Sequence, residues 1–82
     1  MQTYYFHLRD GTNVLLDPEG RVLPSLDAAE ATALFEARAI ISADAKAGRI
    51  SLRQRIEVED ESGAVIHRID FKDAVNLDRA AD

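Results

Sequence analysis

The 82-residue chain contains no cysteine, which removes disulfides, thiolate metal sites and thiol nucleophiles together. No apolar run approaches the roughly 18 residues of a membrane span. Residues 1–15 lack the basic start and apolar stretch of a secretory signal, so a soluble, cytoplasmic protein is expected. Positive charge is also short. Ten Lys and Arg against fifteen Asp and Glu leave a net charge of −5 and a pI near 4.9. Binders of nucleic acid and anionic membrane usually show net positive domains or stripes, so neither partner is expected. Glycine-rich phosphate loops, nucleophile elbows, His-x-x-x-His pairs, repeats and low-complexity linkers are all missing.

What is present is a folding composition, 46% apolar and 30% charged. A chain of this length makes one domain and buries only about 60% of its unfolded surface. With a thin core and no disulfide to compensate, self-association is expected.

Tyr4, Phe6 and Leu8 alternate with Tyr5, His7 and Arg9, the period-two pattern of a strand. Asp10-Gly11-Thr12-Asn13 turns the chain, and Val14-Leu15-Leu16 returns as a hairpin partner. Asp17-Pro18-Glu19-Gly20 is a second turn. Arg21 to Pro24 then leads, extended, to a helix. Ser25 suits its N-cap, although Asp27 with Glu30 three residues later is a competing assignment. The helix runs to about Ala47, with Gly48 as its natural stop and Lys46 and Arg49 complementing the C-terminal dipole. Leu26, Ala29, Ala33, Ala37, Ile40 and Ile41 fall on one stripe, and the small alanines let the helix lie close to a sheet. Phe35 points nearly opposite, as either a loop-covered or tolerated exposed aromatic or a protein contact.

Arg53 to Glu59 alternates again, Asp60 to Gly63 turns, and Ala64 to Ile69 returns. Phe71, Ala74 and Val75 have the spacing of a closing helical turn. The expected architecture is α+β in the order β-β-α-β-β. It is a four-stranded antiparallel sheet with one long helix on one face, a domain over 1–77 and a frayed tail over 78–82.

The second hairpin has two readings. A two-residue loop at Ser62-Gly63 sets Glu57 opposite Arg68, Arg55 opposite Asp70 and Ile56 opposite Ile69. The Asp-x-x-Gly pattern suggests a three-residue loop with a glycine bulge, which slips the register by one and sets Ile56 opposite Arg68. Charge and face patterning favour the first. His67 then sits partly buried among Val58 and Ile69; in the other register it lies beside Glu57 on the outer face.

Side chains suited to chemistry are sparse. His7 and His67, with Asp10, Asp17 and Glu57, offer imidazole and carboxylate groups, but their spacing matches no known ligand pattern. The hydroxyls of Ser25, Ser42, Ser51 and Ser62 belong mostly to caps, turns or the helix, with no neighbouring base implied. Lys46, Arg49, Arg53 and Arg55 form a stretch without acids. It reads as a solvated face, or as an anion contact.

The run Tyr5-Phe6-His7-Leu8-x-Asp10-Gly11, then Asp17-x-Glu19-Gly20-x-x-Leu23-Pro24, an Ala-rich helix, and Glu57-Val58-x-Asp60-Glu61-x-Gly63 resembles a family of small bacterial proteins. That family is a domain of unknown function, DUF6894. The resemblance covers most of residues 3–75, and its motifs are turns and core strands that imply a fold and no activity. A looser similarity is to HicB-type antitoxins, which also open with a strand pair before an Ala- and Leu-rich helix. Leu23-Pro24-Ser25 replaces their tight glycine approach to the helix.

The expected function is a non-enzymatic interaction module, either a homo-oligomer or bound to another protein. It would use the uncovered sheet face (Tyr5, His7, Ile66) or the Phe35 side of the helix. The alternative is an antitoxin-like regulatory module binding a protein or nucleic acid through Lys46, Arg49, Arg53 and Arg55. No residue is assigned to catalysis, a cofactor or a metal.

Overall fold

The aromatic alternation forms the central strand, β1 (Gln2–Asp10), and Gly11 at φ 62 makes the tight turn into β2 (Asn13–Leu15). In the computed structural model, which describes residues 1–76, three further strands and two helices follow. They are β3 (Arg21–Leu23), α1 (Leu26–Lys46), β4 (Arg55–Glu59), β5 (Val65–Asp70) and α2 (Phe71–Ala74). The tail expected over 78–82 lies outside the described residues.

The sheet has five strands, not four, in the order β2-β1-β4-β5 with β3 also paired to β1. The extra strand is the segment before the helix, which was expected to be extended but unpaired. β2 holds Leu8 to Asp10 and β3 holds Gln2 to Tyr4, both antiparallel. The five residues 16–20 between them face only residues 5–7 of β1, so β2 and β3 amount to one return strand interrupted by a large bulge.

Ser25 caps α1, its Oγ accepting the Ala28 N–H at 3.1 Å. The helix ends at the expected place, with Ala47 as C-cap and Gly48 at φ 88. Ala29, Ala33, Ala37 and Ile41 are buried, and Ile40 packs against the core from its edge. Leu26, assigned to the same stripe, is exposed at the first position of the helix. α1 packs on β3, β4, β5 and α2, over a core of Tyr4, Ile56, Val58, Phe71 and Ala74. α2 is held at both ends. The Phe71 N–H donates to the Gln54 carbonyl at 2.9 Å, and Arg38 Nε donates to the Ala74 carbonyl at 2.8 Å.

The second hairpin combines both readings. The Gly63 N–H donates to the Asp60 carbonyl and the Asp60 N–H to the Ala64 carbonyl, which is the three-residue loop with Gly63 at φ 87. Further along, Glu57 faces Arg68, Ile56 faces Ile69 and Val58 faces His67, as the two-residue loop requires. A β-bulge reconciles them: Val65 pairs with Glu59, and Ile66 is the extra residue. Turn chemistry and face patterning are thus both satisfied.

Candidate functional site

The bulge between β2 and β3 creates the most structured feature outside the core. On the edge away from β4 it leaves the middle of β1 without a backbone partner, and Asp17 takes that place. Its Oδ2 accepts the Phe6 N–H at 3.1 Å, while Oδ1 accepts the N–H groups of Gly20 at 3.1 Å and Glu19 at 3.3 Å. The Asp17 N–H in turn donates to His7 Nδ1 at 3.0 Å. Burial opposes charge on Asp17, but the three backbone donors and His7 outweigh it and hold the carboxyl below its ordinary value of 3.8.

That bond makes Nδ1 an acceptor, which puts the proton of a neutral His7 on Nε2, 3.5 Å from Glu59 Oε1. The ring is stacked on Tyr5, with centroids 6.4 Å apart and planes 10° from parallel. His7 is only 7% exposed, so it is a structural anchor for the bulge and not the open contact expected of it. The sequence showed Asp17 as a turn former and as one of several scattered carboxylates. Nothing in its spacing from Phe6 or His7 pointed to this contact, which exists only once β3 has paired.

Gly20 closes the bulge at φ 69, and a Cβ there would lie 2.7 Å from Thr3 Cγ2 and 2.8 Å from the Tyr4 carbonyl. Gly20→Ala is expected to destabilise the fold by about 2 kcal/mol, because the strained φ and the backbone overlap add. A urea unfolding midpoint equal to that of the unaltered chain would contradict this.

Between the bulge and α1 runs a groove of about 470 Å³. Phe6, Leu8 and Ile56 form its floor, Ile40 and Glu36 its helix wall, and Leu15 and Leu16 its outer rim. Arg21 spans the mouth. Its guanidinium pairs with Glu36 at 2.8 Å and sits 5.8 Å over the Phe6 ring. Asp17 and Glu19 also border the opening. Leu15 is 68% exposed, Leu16 64% and Phe35, on α1, 69%; after Met1 they are the most exposed large apolar side chains among the described residues.

The outer sheet face is partly apolar, as expected, through exposed Val14, Val22 and Val65, while its centre is ionic. Arg9 and Arg55 both bind Glu57, Arg55 at 3.1 Å, and Arg68 lies 3.8 Å from Asp70. The two arginines outweigh the burial of Glu57 and hold its carboxyl below the usual 4.5. Because the hairpin register puts every charged residue of β4 and β5 on one side, the face becomes a grid of ion pairs. Tyr5 is half-buried against His7. Ile66, expected outward, is half-buried against the core because the bulge displaces it and leaves Val65 outside.

The basic stretch does not converge. Arg49 and Arg53 share a hollow of about 300 Å³ with Asp10 and Asp44, and Arg53 pairs with Asp10 at 3.8 Å. Arg55 is committed to Glu57 on the outer face, and Lys46 is exposed on the last turn of α1. His67 faces α1, 3.7 Å from Glu30, so the sheet separates it from His7. Among the described residues no three His, Asp or Glu side chains converge to hold a metal.

Within this frame, the pattern of the family described as a domain of unknown function (DUF6894) matches residues 3–72. The chain belongs to DUF6894. The match runs from β1 through the first residues of α2, so the bulge, the groove and both hairpins are all part of the DUF6894 domain. No curated protein and no solved structure matches the chain. Among the described residues no helix is long and apolar enough to cross a membrane.

Proposed function

We propose that this DUF6894 domain is a non-enzymatic interaction module that self-associates through the helix side carrying Phe35 and the groove. The observation that supports this is the exposure of three large apolar side chains, Leu15, Leu16 and Phe35. Two lie on the outer rim of the groove and the third on the helix that forms its other wall. Isolated exposed apolar residues are ordinary on a protein surface, but two leucines on the rim of a groove with an apolar floor suit an interaction surface.

Phe35→Ser is the test. The side chain is mostly in water, so unfolding stability should change by no more than about 0.5 kcal/mol. Association, read by size-exclusion chromatography with light scattering, should weaken by about tenfold or more, because aromatic anchors dominate contact energies. Loss of stability with unchanged association would contradict the reading.

A further inference from the structure

We propose that a second copy of this chain adds to the sheet at β5, edge to edge and antiparallel, with Arg68 of each copy facing Asp70 of the other. β5 ends the sheet, since among the described residues it pairs only with β4. Which of its backbone groups are free follows from two hydrogen bonds. The Phe71 N–H donates to the Gln54 carbonyl, so residues 71, 69 and 67 turn their backbone toward β4. The alternate residues Arg68 and Asp70 turn theirs away. On β1 the Phe6 N–H points away from β4 to Asp17, which gives β4 the same phase. The N–H and C=O groups of Arg68 and Asp70 are thus an open ladder. The opposite edge offers none, because β2 and β3 are short and the bulge separates them.

Charge selects both the occupant and the register. Within the chain Glu57 faces Arg68 and Arg55 faces Asp70 on the outer side of the sheet. A second β5 must set its outward-turned residues opposite these, so Arg68 meets Arg68, Ile66 or Asp70 of the other copy. Like charges directly opposite are destabilising, and Ile66 is displaced by the bulge. With Asp70 opposite, charge alternates along one row across the seam: Glu57 and Arg68, then Asp70 and Arg55 of the second copy. A two-fold axis repeats the row, and each Arg68–Asp70 pair exchanges both backbone hydrogen bonds. On the helix-covered side the same register sets Ile69 against Ile69, extending the Ile56–Ile69 pair into an apolar row. Arg68-Ile69-Asp70 is therefore its own complement when reversed. The seam is short, so its dissociation constant is on the order of 1 mM. It uses no residue of the Phe35 flank and stays sparsely occupied below about 100 μM.

The test uses the full chain carrying Phe35→Ser, which removes the other contact, isotope-labelled for NMR from about 50 μM to about 2 mM. The amide signals of Arg68 and Asp70 should shift with concentration and give a dissociation constant on the order of 1 mM. Arg68→Glu and Asp70→Lys each set like charges across the seam and should weaken association about fivefold or more. An equal mixture of the two restores opposite charges at both pairs and should recover it. Circular dichroism confirms that each variant is folded. If one is not, Arg68→Gln and Asp70→Asn replace them and should each weaken association about threefold. Arg68 and Asp70 signals that do not move up to about 2 mM overturn the edge pairing. So does a mixture of the charge variants that associates no better than either alone. If these signals move while the unaltered chain stays monomeric below about 100 μM, the Phe35 reading falls and the edge pairing stands.

Discussion

Phe71→Ala is expected to cost about 3–5 kcal/mol, the usual range for a fully buried phenylalanine. Phe71 is 0% exposed and belongs to the same core cluster as Val58, Ile56 and the alanine stripe of α1. Those alanines are too short to collapse into the space it leaves, so most of the cavity would persist. Its backbone also fixes the start of α2 to Gln54. The whole fold of a chain this size is worth on the order of 4–12 kcal/mol, so the loss removes about a quarter of it or more and unfolds a chain at the low end of that range. A chemical denaturation curve with an unshifted midpoint would show that α2 is not part of the cooperative core.

Asp17→Ala is expected to cost about 3 kcal/mol, although Asp17 is a half-buried turn residue. The carboxylate satisfies the Phe6 N–H in the middle of β1 and two further N–H groups in the bulge. Removing it strands those donors where the sheet offers no alternative. Asp17→Asn keeps an acceptor without the charge, and should lose about half as much.

The same contact gives the fold an acid limit. Asp17 and Glu57 both have folded values below their ordinary 3.8 and 4.5, so each stabilises the fold at pH above those values. That stability is lost progressively as pH falls below about 4.5 and through the lowered values of the two groups. Asp17→Asn should flatten part of this slope and leave stability at pH 7 less affected than Asp17→Ala. Thermal melts from pH 7 to pH 3 give both comparisons, and an Asp17→Asn slope as steep as the original would contradict the assignment.

The parts of the fold that local chemistry decides were legible in the sequence. Ser25 as a cap, Gly48 as a stop and the buried alanines each follow from one helix's own residues. The second hairpin shows the limit. Its turn pattern and its face pattern demanded registers one residue apart, and only a bulge at Ile66 meets both. Sequence reasoning that chooses one register cannot reach that solution. β3 was hidden for a related reason, since three residues before a proline carry too little periodicity to announce a strand.

The surroundings of the expected contact residues were not legible because pairing partners are not local. His7 alternates outward as expected, yet it is buried once the Asp17 bulge folds over β1. The groove likewise needs β2, the bulge and α1 at once, so no window of sequence displays it. Phe35 alone was visible in advance, because a helix projection needs nothing but the helix.

The central claim is that this domain meets a second copy of itself through the flank that carries Phe35. Sedimentation equilibrium of the unaltered chain, from about 1 to 100 μM at pH 7 and moderate salt, tests it most directly. The account predicts a mass rising from that of the 9.1 kDa chain to twice that value, and returning toward the single chain with Phe35→Ser. A mass of 9.1 kDa at every concentration would contradict it.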